Sequence, residues 1–322
     1  MRIFSPILAA AVAIGALAGV MTAPGSALAQ EKKTLAFVVN GAADFWTIAR
    51  RGVEKANKEL PQYNMVMEIP SQSSAAEQRN IMDALLARGV AGISISAVDP
   101  ANATEQLNKV AGRTVLITND SDAPNSNRRF YIGTDNVAAG VMAGEQIKLA
   151  LPTGGKVMMF VGTMDNANAR ERVDGIRKTL AGTKVEIVDV RTDAFDNVKA
   201  KANVADTLVK YPDIDLLVGL YAYNTPQIYN AVKDAGKAGK VKIIGFDEDV
   251  QTLRGVADGT IIATVVQQPF EFGYLSMINM DKVLRGDTSF IPANKQIIIP
   301  TRVIDKASVG EFQTAMRALL AK

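Results

Sequence analysis

The chain contains no cysteine and no histidine in 322 residues. Without cysteine there is no thiol nucleophile, no iron–sulfur ligation, no disulfide and no lipid-bearing cysteine at a processed N-terminus. Without histidine the commonest general base and metal ligand are missing. Aromatics are sparse too, with a single tryptophan, Trp46. A carboxylate-only metal or glycosidase site stays open. Charge of one sign is also lacking: 36 basic residues stand against 33 acidic ones. That balance gives no reason to expect a nucleic-acid partner, and Arg128-Arg129 reads as a solvated loop.

Long hydrophobic runs are confined to the N-terminus. Ile7 to Met21 is apolar and alanine-rich, preceded by Arg2 and followed by Pro24, Gly25 and Ala27-Leu28-Ala29. The run is short for a membrane-spanning helix, and the small-x-small triplet fits a leader peptide cleaved after Ala29. Residues 1–29 are therefore expected to be removed, leaving 322 − 29 = 293 residues with a net charge of +2. That length suits two domains of ordinary size.

Beyond the leader, strand-like and helix-like patterns alternate. Thr34–Val39 is apolar; Trp46, Ala49, Val53, Ala56 and Leu60 then recur at helical spacing until Pro61 stops them. Helices are expected over 75–88, 100–110, 136–149, 168–180, 197–210, 225–235, 250–258 and 269–284. Strands are expected over 64–69, 90–96, 113–118, 129–133, 156–161, 185–190, 214–219, 241–245, 261–266 and 297–299. Such alternation argues βαβ units and parallel sheets with helices on both faces. This many strands exceeds one compact sheet. The fold class is α/β, as two Rossmann-like doubly wound parallel-sheet domains, with the second starting near Asp135.

In open α/β sheets ligands sit beyond the carboxyl ends of the strands, and several strands here end in polar or aromatic residues. Asn40 is followed by Asp44-Phe45-Trp46, rings that fit either a core or the face of a sugar. Asp120 and Asp247 each follow a strand directly; each fits a helix cap, a hinge ion pair or an acceptor for adjacent hydroxyls. As a pair they would also suit glycoside cleavage. Arg170 and Arg172 lie in Asn168-Ala-Arg-Glu-Arg-Val-Asp-Gly175, two residues apart and so facing different ways; one would reach the crevice and the other solvent. Phe195, Tyr221 and Asn224 lie at the ends of the next two strands, and Gln267 follows Ile261–Val266. No glycine spacing of a dinucleotide or P-loop fingerprint follows any strand.

At these residues the chain resembles the periplasmic solute-binding proteins of the ribose-binding type, which serve ABC sugar importers. The resemblance rests on Val-Val-Asn40, Asp-Phe-Trp46, Thr-Asn-Asp120, Tyr131–Asn136, Asn168–Gly175, Val218–Asn224, Ile243–Asp247 and Ala263–Pro269, and it covers nearly the whole mature chain. A class of repressors shares this core but carries a DNA-binding helix-turn-helix where this chain carries a leader. The resemblance implies a type I periplasmic binding protein with lobes 31–134 plus 268–296 and 135–267 plus 297–322, joined by crossings near Asp135, Gln267 and Ile297. It implies ligand contacts from Asn40, Phe45, Trp46, Ser96, Asp120, Arg170, Phe195, Tyr221, Asn224, Asp247 and Gln267. It also implies an exported, non-enzymatic monomer with no cofactor, no metal and no nucleic acid, which closes on a neutral monosaccharide or polyol and delivers it to an ABC permease. Ser121 and Ala43 depart from the family's Arg and Asn, which leaves pentoses, hexoses and polyols open. The alternatives are a sensory module handing a sugar or signal molecule to a receptor, and a carboxylate-dependent glycoside-processing enzyme.

Overall fold

The computed structural model describes residue 1 and residues 32–320; the expected leader and its cleavage site lie outside the described residues. Among these, twelve strands and ten helices alternate. The strands are β1 (Lys33–Val38), β2 (Tyr63–Glu68), β3 (Gly92–Ile95), β4 (Val115–Asn119), β5 (Tyr131–Gly133), β6 (Gly155–Val161), β7 (Val185–Thr192), β8 (Leu216–Gly219), β9 (Lys242–Phe246), β10 (Ala263–Val266), β11 (Gln296–Ile298) and β12 (Arg302–Asp305). The helices are α1 (Phe45–Glu59), α2 (Ala75–Ala87), α3 (Thr104–Ala111), α4 (Asn136–Ala150), α5 (Ala167–Leu180), α6 (Asn197–Lys210), α7 (Asn224–Asp234), α8 (Val250–Asp258), α9 (Pro269–Leu284) and α10 (Val309–Leu320).

The strands form two six-stranded sheets, ordered β11-β5-β4-β3-β1-β2 and β12-β10-β9-β8-β6-β7. All pairings are parallel except β10 with β12. Parallel strands must be covered on both faces, and the sequence supplies both. In β1, Leu35 and Phe37 join one core while Ala36 and Val38 join another. In β6, Val157 and Met159 face one core while Met158 and Phe160 face another. Among the described residues, no helix is long and apolar enough to cross a membrane.

The chain passes between the sheets three times: between β5 and β6, after β10, and between β11 and β12. The last passage lies one strand later than the expected 296/297 boundary, because Gln296–Ile298 pairs with β5 in the first sheet. The short antiparallel β12 that follows was not anticipated. The α3 helix starts at Thr104 rather than Pro100, since the Asp99 carboxylate accepts from the Asn102 backbone N–H and side chain and holds a turn there. The passage after β5 ends in Asp135, whose carboxylate accepts from the Ala138 N–H and caps α4.

Two helix pairs lie almost backbone to backbone. A Cβ on Gly52 of α1 would stand 2.0 Å from the Phe270 oxygen, and one on Gly273 of α9 would stand 2.1 Å from the Ala49 oxygen. In the second sheet's layer, a Cβ on Gly140 of α4 would meet the Arg172 oxygen at 2.2 Å, and one on Gly175 of α5 would meet the Val137 oxygen at 2.2 Å. Only glycine permits this approach.

Candidate functional site

The carboxyl ends of both sheets converge on one pocket that opens into about 430 Å³ of space between protein atoms. From the first sheet come Asn40, Phe45, Trp46 and Asp120; from the second come Asn168, Arg172, Phe195, Tyr221, Tyr223 and Asp247, with Gln267 from the passage after β10. Asp120 and Asp247 occupy matching places, each directly after the fourth of its sheet's first five strands. Each has a left-handed backbone, with φ of 53° and 67°, a conformation that is sparsely populated outside glycine and recurs at binding sites.

Asp120 is 3 % exposed and is surrounded by donors. Ser96 Oγ donates to its Oδ2 at 2.7 Å, Asn40 Nδ2 at 3.3 Å, and Asn168 Nδ2 at 3.2 Å. The Asn168 bond runs from the second sheet's α5 to the residue that directly follows the first sheet's β4. Burial raises the Asp120 carboxyl above the usual range, opposed by Arg172 and by the Ser96 and Asn168 hydrogen bonds. Asp247 accepts from Gln267 Nε2 at 2.8 Å, and Gln267 Oε1 accepts from Thr134 Oγ1 at 2.8 Å, joining two of the inter-sheet passages. Burial pushes Asp247 up to about 6 against the pull of Arg172.

Arg172 is 1 % exposed. Its Nε donates to Asn136 Oδ1 at 3.0 Å and its Nη1 to the Leu220 oxygen at 2.6 Å, while Nη2 has no protein partner. The guanidinium stacks over Phe246, 4.6 Å from the ring centroid. The result is a fixed cationic donor on the pocket wall.

The expectation of Arg170 is corrected here. Arg170 turns away, and its Nη1 donates to the Met164 and Asp165 oxygens at 2.7 and 2.6 Å. Residues two apart on a helix point about 200° apart, and Arg172 falls on the buried stripe of Ala169, Val173, Ile176 and Leu180. That stripe is visible in the sequence and singles out Arg172. Asn168, one turn before Arg172 and on the same face, was also missed as a candidate.

Two further candidates stand behind the wall. Ser96 reaches the pocket only through Asp120. Asn224 donates from Nδ2 to Asp193 Oδ2 at 2.8 Å, and its Oδ1 accepts from the Tyr221 N–H. Asp193 in turn accepts from the Tyr223 hydroxyl and the Phe195 N–H. This network fixes the aromatic wall, in which Phe195 and Tyr221 stack with centroids 5.9 Å apart. The Tyr221 hydroxyl donates to Asn168 Oδ1 at 2.8 Å. Across the pocket Phe45 and Trp46 meet edge to face at 4.9 Å. Both are buried in the first sheet's core and also line the pocket, so the core and crevice readings both hold. Trp46 Nε1 donates to Asn40 Oδ1 at 3.1 Å and so aims the Asn40 amide at Asp120. Among the described residues no cluster of three or more potential metal ligands is present.

The arrangement is a cleft with aromatic walls, two carboxylates and a fixed guanidinium. It suits a small neutral molecule that has adjacent hydroxyls and an apolar ring face. Comparison with known proteins agrees. A family model described as a periplasmic binding protein domain matches residues 35–288. The ribose import binding protein RbsB of Escherichia coli is 29% identical over 273 residues, 83% of this chain and 90% of its own. Among solved structures, GanP, a glucose-galactose binding protein from Geobacillus stearothermophilus, superposes with a TM-score of 0.80 at 28% identity, covering 86% of this chain and 99% of that one. An ABC transporter solute-binding protein from Burkholderia graminis in complex with D-arabinose superposes with a TM-score of 0.80 at 26% identity, covering 85% and 96%. With the family model spanning well over half of its length, the chain belongs to the periplasmic binding protein family.

Proposed function

We propose that this chain is an exported solute-binding protein that captures a monosaccharide or polyol between two lobes and delivers it to an ABC-type permease, working as a monomer without a cofactor. The observation that carries this reading is that side chains from both sheets, Asp120 from one and Asn168 and Arg172 from the other, meet on a single pocket. A ligand touching both lobes binds the closed arrangement better than the open one, and that differential affinity drives closure. Asp120, Arg172, Asp247 and Gln267 hydrogen-bond its hydroxyls, while Phe45 and Trp46 on one side and Phe195 and Tyr221 on the other cover its C–H faces. Micromolar capture requires about 8 kcal/mol of net binding, within reach of stacking plus several charge-assisted hydrogen bonds.

A thermal-shift screen over pentoses, hexoses and polyols tests the reading. A ligand at about 100 times its Kd stabilises by about 2.7 kcal/mol; a screen in which no sugar or polyol shifts the melting curve removes the ligand class, and turnover of the ligand removes the binder. Export adds a second check: the secreted protein should begin at Gln30, which N-terminal mass spectrometry reads directly.

A further inference from the structure

A second space adjoins the pocket. It measures about 1060 Å³ and is walled by Phe45 and Ile48 of α1, Val250 and Leu253 of α8, and Met316 and Leu320 of α10. It shares three residues with the pocket: Phe45, Ala222 and Asp247. Phe45 and Ala222 line both spaces, and Ala222 packs into the first sheet's core although it follows β8 of the second sheet.

The walls of this chamber have a different chemistry from the pocket. Apart from Asp247 it contains none of the pocket's hydroxyl-binding groups; half of the residues lining it are polar, with Arg317 the sole cation beside Asp44, Glu248 and Asp249, and the other half form an apolar set from Phe45 to Leu320. Val250 is 73 % exposed at its rim, an apolar side chain left in water beside an apolar hollow. A sugar held by Asp120, Arg172 and Asp247 would carry any substituent on its Asp247 side past the shared residues Phe45 and Ala222 and into this chamber.

We infer that the ligand class includes glycosides with an apolar aglycone, the sugar ring in the pocket and the aglycone in the chamber between α1, α8 and α10. This inference rests on the sugar-binding reading above and extends it. Calorimetry on the full mature chain tests it with free D-galactose, D-fucose and D-arabinose, their methyl glycosides and their 4-nitrophenyl glycosides. For the sugar that binds, the 4-nitrophenyl glycoside should bind about tenfold tighter than the methyl glycoside, the gain expected for burying an aromatic ring. Val250→Trp, a change at an exposed position, and Met316→Trp, at a half-buried one, fill the chamber from two sides. Each should abolish that gain while leaving the free sugar's Kd within about twofold. A 4-nitrophenyl glycoside no tighter than the methyl glycoside, or a gain that survives in both variants, overturns the chamber's role and leaves free-sugar capture intact. Failure of every free sugar and glycoside to bind overturns both readings together.

Discussion

Arg172 is held on two of its three nitrogens, and the third has no protein partner on the pocket wall. A lysine would keep the charge but lose the fork. Arg172→Lys should therefore weaken sugar binding by about 2 kcal/mol, the range for a hydrogen bond to a charged group, whereas Arg170→Ala should leave calorimetric affinity within about twofold. Asp247 makes a pH-dependent contribution. Its folded value, about 6, lies above the 3.8 of a free aspartate, so the folded protein holds this proton where the unfolded chain has released it. The stabilisation from Asp247 is thus complete below about pH 4 and lost as pH rises through about 6. Ligand affinity runs the other way, because sugar hydroxyls donate to the ionised form. Asp247→Asn, which tolerates the left-handed backbone, should flatten the fall in melting temperature between pH 4 and pH 6 and weaken binding at neutral pH.

At the scale of elements, the alternation of apolar strands with amphipathic helices placed every pair of β1 to β10 and α1 to α9 in the sequence, because strands buried on both faces leave continuous apolar runs such as Leu35–Val39 and Val157–Val161. The strand-end acids Asp120 and Asp247 were legible for the same reason: each directly follows such a run. What escaped was short or half-exposed. Arg302–Asp305 is four residues long and buries only Ile304, so its antiparallel pairing with β10 depends on a partner distant in the chain and not on a local pattern, while the strand expected over 297–299 is present as Gln296–Ile298 and only its sheet was misplaced. Arg172 escaped for a different cause, a charged residue inside an apolar stripe. The glycine contact between α4 and α5 supplies a prediction here. Gly140→Ala would drive a methyl to 2.2 Å from the Arg172 oxygen. Urea denaturation should register a loss of about 1–3 kcal/mol, the usual effect of overpacking, together with weakened sugar binding although residue 140 touches no ligand.

For the whole molecule, closure is the variable that matters. The Asn168–Asp120 bond joins the two sheets at the pocket, and the Thr134–Gln267 bond lies where the chain passes between them. Small-angle scattering should show a contraction when a ligand identified in the thermal screen is added, and Asp120→Ala should abolish it; an unchanged radius of gyration at saturation would rule out closure as the mechanism. The two glycine contacts carry a last consequence. The helices that emerge from the passages, α4 and α9, are each seated on the helix that presents the site, α5 and α1. Backbone rests on backbone at the glycines, beside two side-chain contacts from the site, Arg172 Nε to Asn136 Oδ1 of α4 and Phe45 against Phe272 of α9. Ligand preference can therefore drift by substitution at the strand ends while each lobe keeps its own backbone frame. Chains tuned to different sugars would then show common lobe surfaces to whatever reads them.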